Sequence, residues 1–136
     1  MTDLVRDAMV AAPAALPATA SAQQAAEILT PTDVRAVFVI AEGEELVGVV
    51  TRKTLVREVV AKGLDPRTTE LGSFAEPPLF TLESTLPLDE AFHELEQHDL
   101  ERVPVVESGR LVGVLSRAVL QRRLAEDEPP AEPVEA

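Results

Sequence analysis

Apolar residues recur at helical spacing twice along the chain. Ala22, Ala25, Ala26 and Leu29 follow one another at intervals of three, one and three, and Leu88, Ala91, Phe92 and Leu95 repeat the same intervals. This places each set on one face of a 3.6-residue period and predicts two amphipathic helices. Pro31 ends the first, and the polar pair His98-Asp99 ends the second. Two short apolar runs follow each helix, over residues 37–40 and 46–50, then 103–106 and 111–115. A polar turn containing glycine joins each pair, which is a hairpin signal. A further helix is predicted after each hairpin, presenting Leu55, Val56, Val59 and Val60 in one case and Val119, Leu120 and Leu124 in the other. Short extended segments over 14–16 and 79–82 precede the first helix of each set. The strand runs are apolar throughout rather than alternating, which predicts cover on both faces.

The two halves read as copies of one another. Leu16-Pro17-Ala18-Thr19 stands 66 residues before Leu82-Glu83-Ser84-Thr85, and at that spacing Ala25 meets Ala91, Leu29 meets Leu95 and Val37 meets Val103. One residue is lost where 42–45 faces 107–110, in a turn, where a duplicated fold tolerates a change of length. Beyond it, Leu46-Val47-Gly48-Val49-Val50-Thr51-Arg52 lies over Leu111-Val112-Gly113-Val114-Leu115-Ser116-Arg117, keeping the glycine, the hydroxyl and the arginine. The expected fold class is α+β: two pseudo-symmetric β-α-β-β-α repeats with a short N-terminal lead-in helix. A repeat of about 60 residues would scarcely bury such strands alone, so one shared core is expected. The boundaries read as residues 1–61 for the first repeat with its lead-in, 62–70 for a linker, 71–125 for the second repeat and 126–136 for a disordered acidic tail. That tail has five acids, three prolines and no basic residue, and cannot bury a face.

Composition acts mainly by exclusion. Twelve basic against 24 acidic side chains leave a formal charge of −12, which speaks against nucleic acid as a partner. The absence of cysteine removes disulfides, thiolate zinc sites and a cysteine nucleophile. No apolar run approaches the roughly 20 residues that span a bilayer, and the N-terminus lacks a signal peptide's apolar middle. A soluble, cytoplasmic protein without a membrane partner is the expectation. His93 and His98 lie five apart, off one helical face, and read as surface residues rather than metal ligands. No nucleophile elbow, P-loop or His-Glu-x-x-His occurs, so no catalytic residue is assigned and no enzyme is expected.

The candidate chemistry lies where strands turn into helices. At Thr51 and Ser116 the free backbone N–H groups and the positive end of the helix dipole favour an anion, and Arg52, Lys53 or Arg117 add charge. The plainer reading makes the hydroxyls ordinary N-caps and leaves the arginines in solvent. Gly48 and Gly113, late in their strands, mark a bend or a close approach, either by a ligand or by the other repeat. Thr19 and Thr85 read first as N-caps and second as cleft residues.

This order of elements, with Gly-hydrophobic-hydrophobic-Thr/Ser opening the last helix of each half, resembles the tandem cystathionine-β-synthase (CBS) domain pair, or Bateman module. Val5-Arg6-Asp7-Ala8-Met9 is similar to the family's short lead-in helix. Arg102-Val103-Pro104-Val105-Val106 followed by Gly109-Arg110-Leu111-Val112-Gly113-Val114-Leu115-Ser116 is similar to its most recognisable stretch. The resemblance spans about residues 3–124. It implies a regulatory module that needs no cofactor and binds AMP, ADP, ATP or S-adenosylmethionine in clefts between the repeats. It also implies pairing into a homodimer and control of a protein partner in trans. On this resemblance the ligand-binding set is Thr51, Arg52, Thr54, Val37, Gly48 and Thr19 in the first copy and Ser116, Arg117, Val103 and Thr85 in the second. Val37 and Val103 would hold an adenine edge, with core packing as the alternative. The family's motif ends in an Asp that addresses ribose, where this chain has Thr54 and Val119. Threonine replaces such an acceptor only in part and valine not at all. The alternative is therefore a degenerate pair that works as a dimerisation or protein-interaction scaffold without nucleotide.

Overall fold

The computed structural model describes residues 3–11 and 13–127. Its elements run α1 (Val5–Ala8), β1 (Val10–Ala11), β2 (Ala15–Pro17), α2 (Ala22–Ile28), β3 (Val37–Ile40), β4 (Leu46–Val50), α3 (Arg52–Leu55), β5 (Leu82–Glu83), α4 (Leu88–Gln97), β6 (Arg102–Glu107), β7 (Arg110–Ser116) and α5 (Arg117–Asp127). From β2 to α3 and again from β5 to α5 the order is strand, helix, strand, strand, helix, as the periodicity predicts. The α5 helix runs two residues into the stretch read as a tail; residues 128–136 lie outside the described residues.

Each half builds its own sheet. In one, β2 pairs parallel with β3 and β3 antiparallel with β4; in the other, β5 pairs parallel with β6 and β6 antiparallel with β7. The register slips at equivalent places, between Val39 and Ile40 and between Val105 and Val106. The hairpin turns reverse through Gly43 at φ 75° and Gly109 at φ 80°, a region that costs glycine nothing. The turns also meet: Leu46 N donates to Gly109 O at 3.1 Å.

The strands differ from expectation in their cover. The central strands β3 and β6 are buried along most of their length, but β4 and β7 alternate between buried and partly exposed positions. One face of each is therefore covered and the other only half covered, although β4 is an edge strand and β7 lies inside its sheet between β1 and β6. The final helix of the first half also differs. After α3 the chain widens into a single π-type stretch, Val56–Val60, in which Val59 is buried while Val56 and Val60 are 58% and 70% exposed. That element packs by one edge only, so the four-residue apolar face splits between core and solvent.

The segments that precede each repeat change places. The α1 helix and β1 lie against the second half: β1 pairs antiparallel with β7, Val10 opposite Val114, and Val5 and Ala8 belong to the cluster of Leu82, Leu88, Leu95, Val103, Leu115 and Leu120. Residues 71–76 lie against the first half: Glu76 bridges to Val49, and Leu71 joins Ala25, Leu29, Val37, Val39 and Val50. The exchange is symmetric bond for bond. Val5 N donates to Leu86 O at 2.8 Å and Leu71 N to Ala20 O at 2.9 Å; Arg6 N donates to Ser84 O and Gly72 N to Ala18 O, both at 2.9 Å. Arg123 of α5 fastens the N-terminal segment by Nη1 to Asp7 O at 3.1 Å and Nη2 to Asp3 Oδ2 at 3.3 Å. The expectation of one shared core is thereby corrected. There are two apolar clusters, and each is completed by the lead-in of the other half, which is how halves too small to stand alone are stabilised.

Candidate functional site

The exchanged segments border a cleft of about 510 Å³ between the halves. Its apolar lining includes Phe38 and Val49 from the first half and Val103, Pro104 and Val114 from the second. Its charged lining is Asp33, Arg35, Glu76 and Arg102, and Thr51 stands at its wall. Of the ten residues expected to bind ligand, Thr51 and Val103 line this cleft.

The other eight lie elsewhere, for local reasons. Thr54 N donates to Thr51 Oγ1 at 3.3 Å and Thr51 N to Thr54 Oγ1 at 3.2 Å, a reciprocal cap that opens α3. Thr54 is 2% exposed and closed into that cap. Arg52 donates from Nη2 to the carbonyls of Leu29 and Pro31, which the early end of α2 leaves without helical partners. Ser116 Oγ accepts from Val119 N at 3.1 Å as the cap of α5. Arg117 pairs with Asp99 and Glu101 on the loop between α4 and β6. Both motif arginines thus hold a helix-to-strand loop in place. Val37 is fully buried in the core.

Gly48 is the position where the exchanged segment crosses β4: a Cβ there would stand 2.7 Å from Ala75 Cβ. Gly113 does the same on β7, where a Cβ would meet Met9 Sδ at 2.6 Å and Val10 O at 2.9 Å. The close approach that the glycines mark is therefore made by the other repeat's lead-in. Thr19 and Thr85 are exposed turn residues and not the N-caps they were read as; Ser21 and Pro87 occupy those positions. Ser21 was legible, because Gln24 three residues later completes a capping box.

Arg35 and Arg102 were missed as cleft residues. Arg35 stands two residues before β3 and Arg102 opens β6; both are exposed and make no ion pair or side-chain hydrogen bond among the described residues. The signal was present in Arg102, which heads the most recognisable family-like stretch. A second hollow, of about 610 Å³, lies along α4 on the outer side of the second half. Phe80, Leu82 and Leu86 floor it, and Glu83, Asp89, Glu90 and Glu94 surround it with His93. That density of carboxylates opposes an anionic ligand. His98 packs against Phe80 with ring centroids 4.9 Å apart and planes tilted by 39°, and its Nε2 lies 3.4 Å from Glu94 Oε2.

Duplicated β-α-β-β-α halves around a common cleft define a tandem-repeat module, and a CBS-domain profile matches residues 5–61 and 71–126. The chain belongs to the CBS domain family, as a pair. One relative is Hypoxic response protein 1 of Mycobacterium tuberculosis, 30% identical over 102 residues, which are 75% of this chain and 71% of that protein. Its crystal structure, with two coordinated zinc ions, matches with a TM-score of 0.75 at 28% identity, covering 88% of this chain and 98% of the other. Among the described residues here no three His, Asp or Glu side chains gather as a metal-binding cluster, and the chain has no cysteine, so these residues do not fit a zinc centre. CBSX2, solved in complex with AMP, matches with a TM-score of 0.73 at 25% identity, covering 93% of this chain and 98% of the other. A CBS domain pair in complex with 5′-methylthioadenosine and S-adenosyl-L-methionine shares the fold, with a TM-score of 0.71 at 20% identity, covering 94% of this chain and all of the other. Among the described residues no helix is long and apolar enough to cross a membrane.

Proposed function

We propose that this CBS pair is a regulatory sensor that binds an adenine nucleotide, or a similar anionic metabolite, in the cleft between its halves. One observation carries the reading: Arg35 and Arg102 reach the same cleft from opposite halves, and neither is engaged by another side chain among the described residues. Guanidinium groups suit phosphate through paired, charge-assisted hydrogen bonds. The apolar walls at Phe38, Val49, Val103 and Val114 suit the faces of a purine. The AMP complex of CBSX2 supports the same ligand class.

Calorimetric titration with AMP, ADP, ATP and S-adenosylmethionine tests this. Arg35→Ala and Arg102→Ala each weaken AMP binding about tenfold or more, the worth of one hydrogen bond to a charged group. Arg52→Ala lowers stability but leaves the AMP affinity of the folded protein unchanged. The opposite pattern would move the ligand to the start of α3. Sensing further requires that the ligand favour one arrangement of the protein over another. We place that arrangement in a cytoplasmic homodimer that acts on a protein partner in trans. The exposed apolar side chains of Val56, Val60 and Leu64 support a second copy as their cover. Sedimentation with and without AMP checks both points, and a monomer under either condition would remove the dimer.

A scaffold without ligand is the second reading. Thr54, closed in its cap, and Val119 favour it, because neither motif offers a carboxylate to ribose. Dimers at micromolar concentration combined with silence across the nucleotide panel would establish it.

A further inference from the structure

The helix-to-strand loops of the two halves occupy equivalent positions, 33–35 matching 99–101, yet they are held differently. In the second half Arg117 reaches across to Asp99 and Glu101 and ties both carboxylates down. In the first half the equivalent arginine, Arg52, turns to the carbonyls of Leu29 and Pro31. It does so because α2 ends at Ile28, three residues short of the point matching the end of α4, which leaves the Leu29 carbonyl without a helical partner; the Pro31 carbonyl accepts from Arg52 as well as from Val34 N at 3.1 Å. Asp33 is consequently released toward the cleft, where it is exposed and makes no hydrogen bond or ion pair among the described residues. Glu76, the other carboxylate of the cleft, is already paired with Arg57.

Resting on the nucleotide reading above, we infer that Asp33 replaces the carboxylate missing at Thr54 and Val119, accepting hydrogen bonds from the vicinal hydroxyls of a ribose. An ionised carboxylate has acceptor sites for two hydroxyls at once. Beside Arg35 and Arg102 it makes the cleft selective for a ligand with a diol at one end and an anion at the other, a ribonucleotide rather than a deoxyribonucleotide.

The test is calorimetric titration of the full chain with AMP and with 2′-deoxy-AMP, using the wild type, Asp33→Ala, Asp33→Asn and Asp99→Ala, each checked for folding by circular dichroism. The wild type is expected to prefer AMP by about tenfold, as one charge-assisted hydrogen bond implies. Asp33→Ala brings the two ligands close to equal affinity, Asp33→Asn falls between, and Asp99→Ala keeps the wild-type ratio. A preference that survives in Asp33→Ala, or is absent from the wild type, overturns the role of Asp33 while the nucleotide reading stands. No AMP binding by the wild type overturns both.

Discussion

Replacing Gly48 with alanine tests the exchange of lead-in segments at one atom. The new methyl would lie 2.7 Å from Ala75 Cβ and 3.3 Å from Glu76 O. Carbon atoms rest at about 3.5–4.0 Å, so the overlap with Ala75 is close to 1 Å. Ala75 has no rotamer that moves its methyl aside, so the lead-in backbone must shift, straining the two hydrogen bonds between Val49 and Glu76 at 2.8 and 3.0 Å. Overpacking of this kind costs about 1–3 kcal/mol. Removing a glycine from a strand returns roughly 0.5–1 kcal/mol, so a net loss of about 1–2 kcal/mol is expected. Ala75→Gly opens the space, and the double variant should recover most of the loss, giving a coupling of about 1–2 kcal/mol. Urea unfolding of the four proteins, followed by circular dichroism, measures it. Additivity within about 0.3–0.5 kcal/mol would refute the claim that glycine is required here by the crossing segment. Gly113 provides a contrast: Met9 can swing its thioether away, but Val10 O at 2.9 Å cannot move, so Met9→Ala relieves Gly113→Ala only in part.

Leu71→Ala, in the core of the first half although Leu71 opens the second repeat, should cost about 2–5 kcal/mol and speed amide exchange in β3 more than in β6; the reverse order would place the lead-in on the wrong half. Thr54→Val removes one side of the α3 cap, lowering stability by about 0.5–2 kcal/mol while leaving AMP affinity unchanged, and a loss of affinity instead would return Thr54 to the site. The Arg67 guanidinium, helped by its backbone N–H, holds the Asp65 carboxyl below its ordinary 3.8, so the stability it contributes is present above that value and fades as pH falls through the lowered one. Asp65→Asn should therefore be less stable than the wild type at neutral pH and converge with it in acid, whereas a gap that persists through the acid range in thermal melts would contradict the pairing.

The hairpins were readable to within one residue at each end, because an apolar run bounded by a glycine-containing polar turn has few other solutions. The helices α2, α4 and α5 were readable from their period, whereas the π-type stretch after α3 was not. What the pattern could not report is the identity of a partner. The apolar face of Val5 and Ala8 says that α1 is buried, not whose core it enters; the exchange is decided by which strand each lead-in meets, β7 for residues 10–11 and β4 for Glu76. Gly48 and Gly113 carried that information, since Ala75 and Met9 stand at the matching spacing. The placement of the motif arginines was not legible for a different reason. A long guanidinium side chain beside a helix N-terminus can reach a ligand or a neighbouring loop, and here the carbonyls of Leu29 and Pro31 and the carboxylates of Asp99 and Glu101 engage it. Arg35, before β3, and Arg102, at the start of β6, look like solvent-facing residues until the cleft between the halves is seen.

Titration of the ¹⁵N-labelled protein with AMP, followed by amide chemical shifts, is the most direct measurement of where the ligand goes. The account predicts saturable shifts at Asp33, Arg35, Thr51, Arg102 and Val103, contributed by both halves together. Shifts confined to the hollow along α4, from Glu83 to Glu94, or spectra unmoved by AMP, would contradict it.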